Sequence, residues 1–183
     1  METNLKSQIL LQSGNYFDFL NPEKCKFTIE DVAHGLSNLC RFVGQCSEFY
    51  SVAEHCYHCS MIINQDYAYD ALLHDAIEAF TGDLNKPLKT LLPAYQDIEE
   101  HLERVVLKRL KLSFPLPASV KEADIEMLAT EQRLVMNNSD DWHFSYGKLP
   151  REMKIHFWSP KQAKRKFLER YHQLLFYRSL PLT

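Results

Sequence analysis

The stretch Ala71-Leu72-Leu73-His74-Asp75-Ala76-Ile77-Glu78-Ala79-Phe80-Thr81-Gly82-Asp83-Leu84 carries the residue types best suited to chemistry. Wound as a helix at about 100° per residue, it puts Leu72, Leu73, Ala76, Ile77 and Phe80 on one side. His74, Asp75 and Glu78 share the wedge opposite, with small Ala71 leaving room beside them. Gly82 supplies a stop and Pro87 forbids simple continuation. Taken alone this is an amphipathic helix with a wet face; two distant positions change the reading. In the segment from Ser51, the apolar stripe Val52, Cys56, Cys59, Ile62, Ile63 has His55 in its middle. In the segment from Ala118, Val120, Leu128 and Val135 form a stripe with Asp124 at its centre. A buried carboxylate without a partner is costly by several kcal/mol, so Asp124 needs a cation, a hydrogen-bond network or a metal. The economical arrangement brings His55, His74, Asp75 and Asp124, from three helices, onto one divalent ion. Two imidazoles with two carboxylates suit Co²⁺, Mn²⁺, Zn²⁺ or Fe²⁺ rather than a thiolate-preferring site.

The elements that must position these groups read as helices. Residues 5 to 20 hold two short apolar runs around Ser13-Gly14-Asn15, a β-hairpin pattern closed by Asn21-Pro22. Thr28 is an N-cap, with Asp31 three residues on in the place of a capping-box Glu, for a helix to about Cys40. Arg41-Phe42-Val43-Gly44 ends it. Further helices are expected from Ser47 or Ser51 to about Asn64, from Tyr67 to Phe80, from Ala94 to Leu110 and from Ala118 to Met136. Asn137 to Arg151 reads as a polar loop bearing aromatics. Ser159-Pro160 opens a last helix, with Phe167, Leu168, Tyr171, Leu174 and Leu175 as its buried stripe. The class is all-α with a small N-terminal β-hairpin.

At 183 residues the chain is long enough for a single domain (1–183) with its own core. Hydrophobic content of 45% and charge of 25% are ordinary globular values. A formal charge of -3 argues against a broad nucleic-acid footprint. Lys161, Lys164, Arg165, Lys166 and Arg170 cluster, but Lys161, Lys164 and Lys166 alternate with the buried stripe at helical spacing, as on a solvated helix face. No secretory segment and no apolar run approaching membrane-spanning length is evident, so no membrane partner is expected. Five cysteines, an odd count, fit reduced thiols; the expected location is cytoplasmic.

The order His … His-Asp … Asp resembles the HD-domain phosphohydrolase superfamily, over roughly residues 29 to 133. That resemblance implies a helical bundle holding a divalent metal and hydrolysing phosphate esters or anhydrides. His74-Asp75-Ala76-Ile77-Glu78, Thr81-Gly82-Asp83-Leu84 and Pro87 are similar to the bacterial 5′-deoxynucleotidases of the superfamily. It implies Glu78 as the catalytic carboxylate, Asp83 as the group that reads the deoxyribose, and Arg41 beside the nucleotide. The block Glu30-Asp31-Val32-Ala33-His34, Leu36-Ser37-Asn38, Cys40-Arg41-Phe42 and Phe49 through His55 resembles small phage-encoded members. These include dATP triphosphohydrolases of viruses that replace adenine with 2-aminoadenine, which would place such an enzyme in host cytoplasm. The expected substrate is therefore a deoxynucleotide, dATP favoured, with deoxyadenosine and triphosphate as products; 5′-deoxynucleotidase activity is the alternative.

Within that expectation Glu78 orients or deprotonates water, and Arg41, Lys86 and Lys89 offset phosphate charge. A Mg²⁺ arriving with the substrate is a candidate second ion. Phe42 and Val43 are candidate walls for the base. A homo-oligomer is expected from related enzymes. Three rivals remain. A guanosine pyrophosphate hydrolase would fit His-Asp-x-x-Glu, but Ala79 stands where those enzymes carry Asp. A zinc or redox module could use Cys56-Tyr57-His58-Cys59, although both thiols lie on a packing stripe. A catalytically inactive nucleotide-binding fold is the third.

Overall fold

The computed structural model describes residues 5–180. The chain opens with an antiparallel hairpin, β1 (Gln8–Leu10) and β2 (Tyr16–Asp18), in the register Ile9 opposite Phe17. Helices follow: α1 (Ile29–Asn38), α2 (Val52–Ile62), α3 (Ala68–Leu73), α4 (Glu78–Thr81), α5 (Lys86–Lys89), α6 (Pro93–Arg109), α7 (Ala118–Leu134) and α8 (Pro160–Ser179). The protein is mostly helical with a small two-stranded sheet, as the sequence patterning indicates. Among the described residues no helix is long and apolar enough to cross a membrane.

Helix α2 lies at the centre, packed against α1, α3, α7 and α8. Val52, Ala53, Cys56 and Cys59 are fully buried, and so are Val32, Leu36, Leu72, Leu73, Leu102, Leu107 and Phe167. Capping fixes where the site-bearing helices begin. Thr28 Oγ1 accepts from the Asp31 amide at 3.2 Å and the Asp31 carboxylate accepts from the Thr28 amide at 3.0 Å, the expected reciprocal box. Ser51 caps α2 by accepting from the Glu54 amide. Helix α1 approaches α4 so closely that a Cβ on Gly35 would fall 2.7 Å from the Ala79 carbonyl oxygen. On the far side of α4, Phe80 stacks on Phe17 of the hairpin at 4.2 Å between centroids.

Two sequence expectations require correction. The single helix expected over 67–80 is broken: α3 ends at Leu73, and turns of the i→i+3 type run through Asp75, with Ala76 bonding Leu73 and Glu78 bonding Asp75. Ala71 accordingly opens no space in the wedge. It is fully buried, and its carbonyl accepts from His74 Nδ1 at 2.8 Å. In α8, Phe167 and Leu174 are buried but Leu175 is 45% exposed, because the bundle covers a narrower stripe of this helix than the apolar positions allow.

Candidate metal centre and adjoining cleft

The four sequence-nominated ligands meet. His55 comes from α2, His74 and Asp75 from the break after α3, and Asp124 from α7. His55 Nε2 lies 3.4 Å from His74 Nε2, 3.6 Å from Asp75 Oδ2 and 3.4 Å from Asp124 Oδ1. His74 Nε2 lies 3.3 Å from Asp75 Oδ1 and 3.8 Å from Asp124 Oδ1. Donors bonded at about 2.0–2.2 Å to one ion sit roughly 3–4 Å apart, so this spacing fits a shared divalent cation.

The hydrogen bonds made by the opposite ring nitrogens strengthen that fit. His55 Nδ1 is 2.6 Å from Glu131 Oε1, and His74 Nδ1 donates to the Ala71 carbonyl. With each ring proton on Nδ1, donating to these acceptors, both Nε2 lone pairs face the two carboxylates. Four acceptor atoms then converge and need positive charge between them. The titration directions express the same need. Burial opposes the charge on His74, yet Asp75 and Asp124 hold its pKa well above the usual histidine value. Partial burial likewise opposes the Asp124 carboxylate, whose side chain is 30% exposed, yet His55 and His74 hold it well below the usual range.

Glu131, fully buried, organises one wall. It accepts from Tyr50 Oη at 2.8 Å and from Arg41 Nε and Nη2 at 3.2 and 3.0 Å, as well as contacting His55. Burial alone would raise its pKa, but Arg41 and His55 bring it down to about 2. Arg41 reaches this position because residues 39–41 bridge residues 50–52: its amide donates to the Tyr50 carbonyl, and Val52 bonds Leu39. Its remaining Nη1 lies 3.9 Å from Asp75 Oδ2.

A cleft of about 940 Å³ opens beside these ligands, at the upper end of the roughly 300–1,000 Å³ common for small-molecule sites. Glu78, Asp83, Lys86, Lys89, Arg41, Phe42 and Val43 all line it, so every sequence-nominated contact residue reaches the cleft. Glu78 is 7% exposed and its Oε2 has no hydrogen-bond partner. Burial, then Asp75 and Asp83, push its pKa well above the usual carboxylate value. Burial also raises Asp83. The two lysines differ: Lys86 is exposed at the rim, whereas Lys89 is paired with Glu99 at 2.6 Å. Phe42 and Val43 both adopt left-handed backbone conformations (φ 53° and 55°), an uncommon state for bulky or β-branched residues that concentrates at functional sites. Arg41 lies over the Phe42 ring, 5.3 Å from its centroid.

Other lining residues escaped the sequence reading. Trp142, 6.1 Å from Phe42 between centroids, and Phe144 come from the aperiodic 137–151 segment, where no pattern marks them. Lys121 lines the cleft one turn before Asp124. Glu131 had a signal: it follows Asp124 by seven residues, on the same stripe of α7. Cys56 and Cys59 are buried on the α2 stripe as expected, and Cys59 Sγ also lies 3.5 Å from His55 Nε2. Burial pushes the Cys56 thiol up to about 12 and Cys59 well above its usual value, so both act as packed thiols beside the centre.

No family profile matches the chain. It is 40% identical over 164 residues to the uncharacterized protein YfdR of Escherichia coli (strain K12), an alignment covering 88% of this chain and 92% of that protein. It is 31% identical over 186 residues to the uncharacterized protein RCAP_rcc00048 of Rhodobacter capsulatus, covering 89% of this chain and 93% of the other. Identity at that level across nearly the full length of each partner means that the chain belongs to the protein family that includes YfdR.

Proposed function

We propose that the protein is a metal-dependent phosphohydrolase of deoxynucleotides, with dATP the favoured substrate and deoxyadenosine and triphosphate the products. The observation that carries this reading is the convergence of four metal-competent acceptors, His55, His74, Asp75 and Asp124, beside an unpartnered Glu78 in a nucleotide-sized cleft. The deoxynucleotide and dATP assignments rest on the sequence resemblance to HD-domain enzymes. Hydrolysis of deoxynucleoside monophosphates is the second reading, resting on the resemblance of residues 74–87 to the 5′-deoxynucleotidases, with Asp83 of that stretch lining the cleft.

His55, His74, Asp75 and Asp124 would hold the ion. When bound, a divalent cation supplies Lewis acidity toward phosphoryl oxygens and lowers the pKa of water. Glu78, with an unpartnered oxygen in the cleft, suits proton exchange between the attacking water and the leaving oxygen. Arg41, held at two of its nitrogens by Glu131, keeps Nη1 for phosphate charge, and Lys86 and Lys121 add positive charge at the rim. Asp83 is available to accept from the sugar 3′-hydroxyl. Phe42 and Trp142 offer an aromatic surface to the base.

The deciding experiment incubates the protein with Mn²⁺, Co²⁺, Zn²⁺ or Mg²⁺ and a panel of dATP, dGTP, dCTP, dTTP, ATP and the deoxynucleoside monophosphates. Products are then separated by chromatography. Release of triphosphate from dATP is expected. Turnover of monophosphates alone selects the second reading, and no turnover with any metal defeats both.

A further inference from the structure

We propose that Glu54, His58 and His156 form a second site for a divalent transition metal, distinct from the centre at His55, which fastens the segment before α8 onto α2. Glu54 and His55 are consecutive but, about 100° apart around α2, face different neighbours: His55 turns toward Glu131 and Asp124, Glu54 toward residues 156–158. The Glu54 carboxylate is fully buried. Three successive amides donate to it, His156 and Phe157 to Oε1 at 2.8 and 3.0 Å and Trp158 to Oε2 at 2.7 Å. Those dipoles solvate the charge without cancelling it. Among the described residues no lysine or arginine pairs with Glu54; the basic nitrogens near Oε1 are His58 Nε2 at 3.5 Å and His156 Nδ1 at 3.9 Å.

His58 supplies the independent observation. It is 2% exposed, one turn along from Glu54, and its Nε2 has no hydrogen-bond partner. A buried ring nitrogen 3.5 Å from a buried carboxylate oxygen, too far for a good hydrogen bond, leaves a gap that a cation between the two would fill. One donor atom from each of Glu54, His58 and His156 lie within 4.8 Å of one another. Separations of 3.5 and 3.9 Å are close to the roughly 3.4 Å between ligands of a tetrahedral ion with bonds of about 2.0–2.1 Å. Two imidazoles and one carboxylate form a set that Zn²⁺ and other borderline metals accept, leaving a position for solvent. The His156 ring, 39% exposed, gives the ion a path from water.

The test is metal stoichiometry of the full-length protein, stripped with chelator, reloaded with Zn²⁺ at buffered free concentration and separated by gel filtration. Wild type is expected to retain two equivalents. His156→Ala, a change at a half-exposed side chain, is expected to retain one, as is His58→Gln. Asp75→Ala combined with Asp124→Ala is expected to keep the equivalent at Glu54. In that background zinc should still raise the thermal midpoint, and adding His156→Ala should abolish the rise. One equivalent in wild type, or two equivalents undiminished by both His156→Ala and His58→Gln, overturns the proposal. Neither readout depends on turnover, so failure here leaves the phosphohydrolase reading standing.

Discussion

Glu131 Oε1 lies 2.6 Å from His55 Nδ1, seventy-six residues away along the chain, and the same carboxylate grips Arg41. A carboxylate behind a metal-facing imidazole fixes its tautomer and raises its basicity. Glu131→Gln is expected to weaken divalent-metal binding about 10- to 100-fold, measured by titration calorimetry. Glu131→Ala should also destabilise the fold by roughly 3–5 kcal/mol, since it strands a buried Arg41 charge. Unchanged metal affinity in Glu131→Gln would remove the positioning role.

Glu78 has no structural partner at Oε2, so its loss should leave the fold and the ion in place. Glu78→Gln is expected to keep wild-type metal content and thermal midpoint while kcat falls by about 10²–10⁴. Asp75→Ala should lose the ion of the His55 centre and turnover together. Metal analysis paired with steady-state kinetics separates these outcomes.

Trp142 lines the cleft beside Phe42, 6.1 Å between ring centroids. Trp142→Ala is expected to raise KM for nucleotides by the equivalent of roughly 1–3 kcal/mol of stacking. Hydrolysis of a phosphate compound lacking an aromatic ring should not change. Equal losses on both substrate types would mean that Trp142 supports the fold instead of the base.

Gly35 allows α1 to approach the backbone of α4 next to Glu78. Its neighbours at Ala79 are main-chain atoms and Cβ, which cannot swing aside. Gly35→Ala should therefore destabilise by about 1–3 kcal/mol and reduce kcat by shifting Glu78. Urea denaturation and kinetics together would reveal both effects; full stability would contradict the close approach.

Asp18 closes the hairpin by accepting from the Leu20 amide and the Ser7 hydroxyl. These bonds lower its pKa to about 2 from an ordinary 3.8. A depressed carboxylate contributes stability above its unfolded pKa and loses it as pH falls through the folded value. Asp18→Asn should therefore flatten the loss of stability between about pH 4 and pH 2, followed by circular dichroism.

Local chemistry made much of this protein legible in its residues. The Thr28-Asp31 capping box, the Ser51 cap and the hairpin at Gly14 act over a few positions, and each forms as its pattern indicates. The polar intruders His55 and Asp124 were readable because an ionisable group on an apolar stripe demands a partner. What short-range pattern could not specify was set by packing. The break at His74-Asp75 arises where helix, turn and His74 Nδ1 compete for the same carbonyls. Trp142 enters the cleft from a segment without periodicity, and no local pattern marks Glu54, whose carboxylate accepts from three amides of residues 156–158. Sequence determined which groups needed charge or hydrogen bonds; only the folded chain decided which distant groups supply them, because those interactions act over ångströms in space and carry no trace in local spacing.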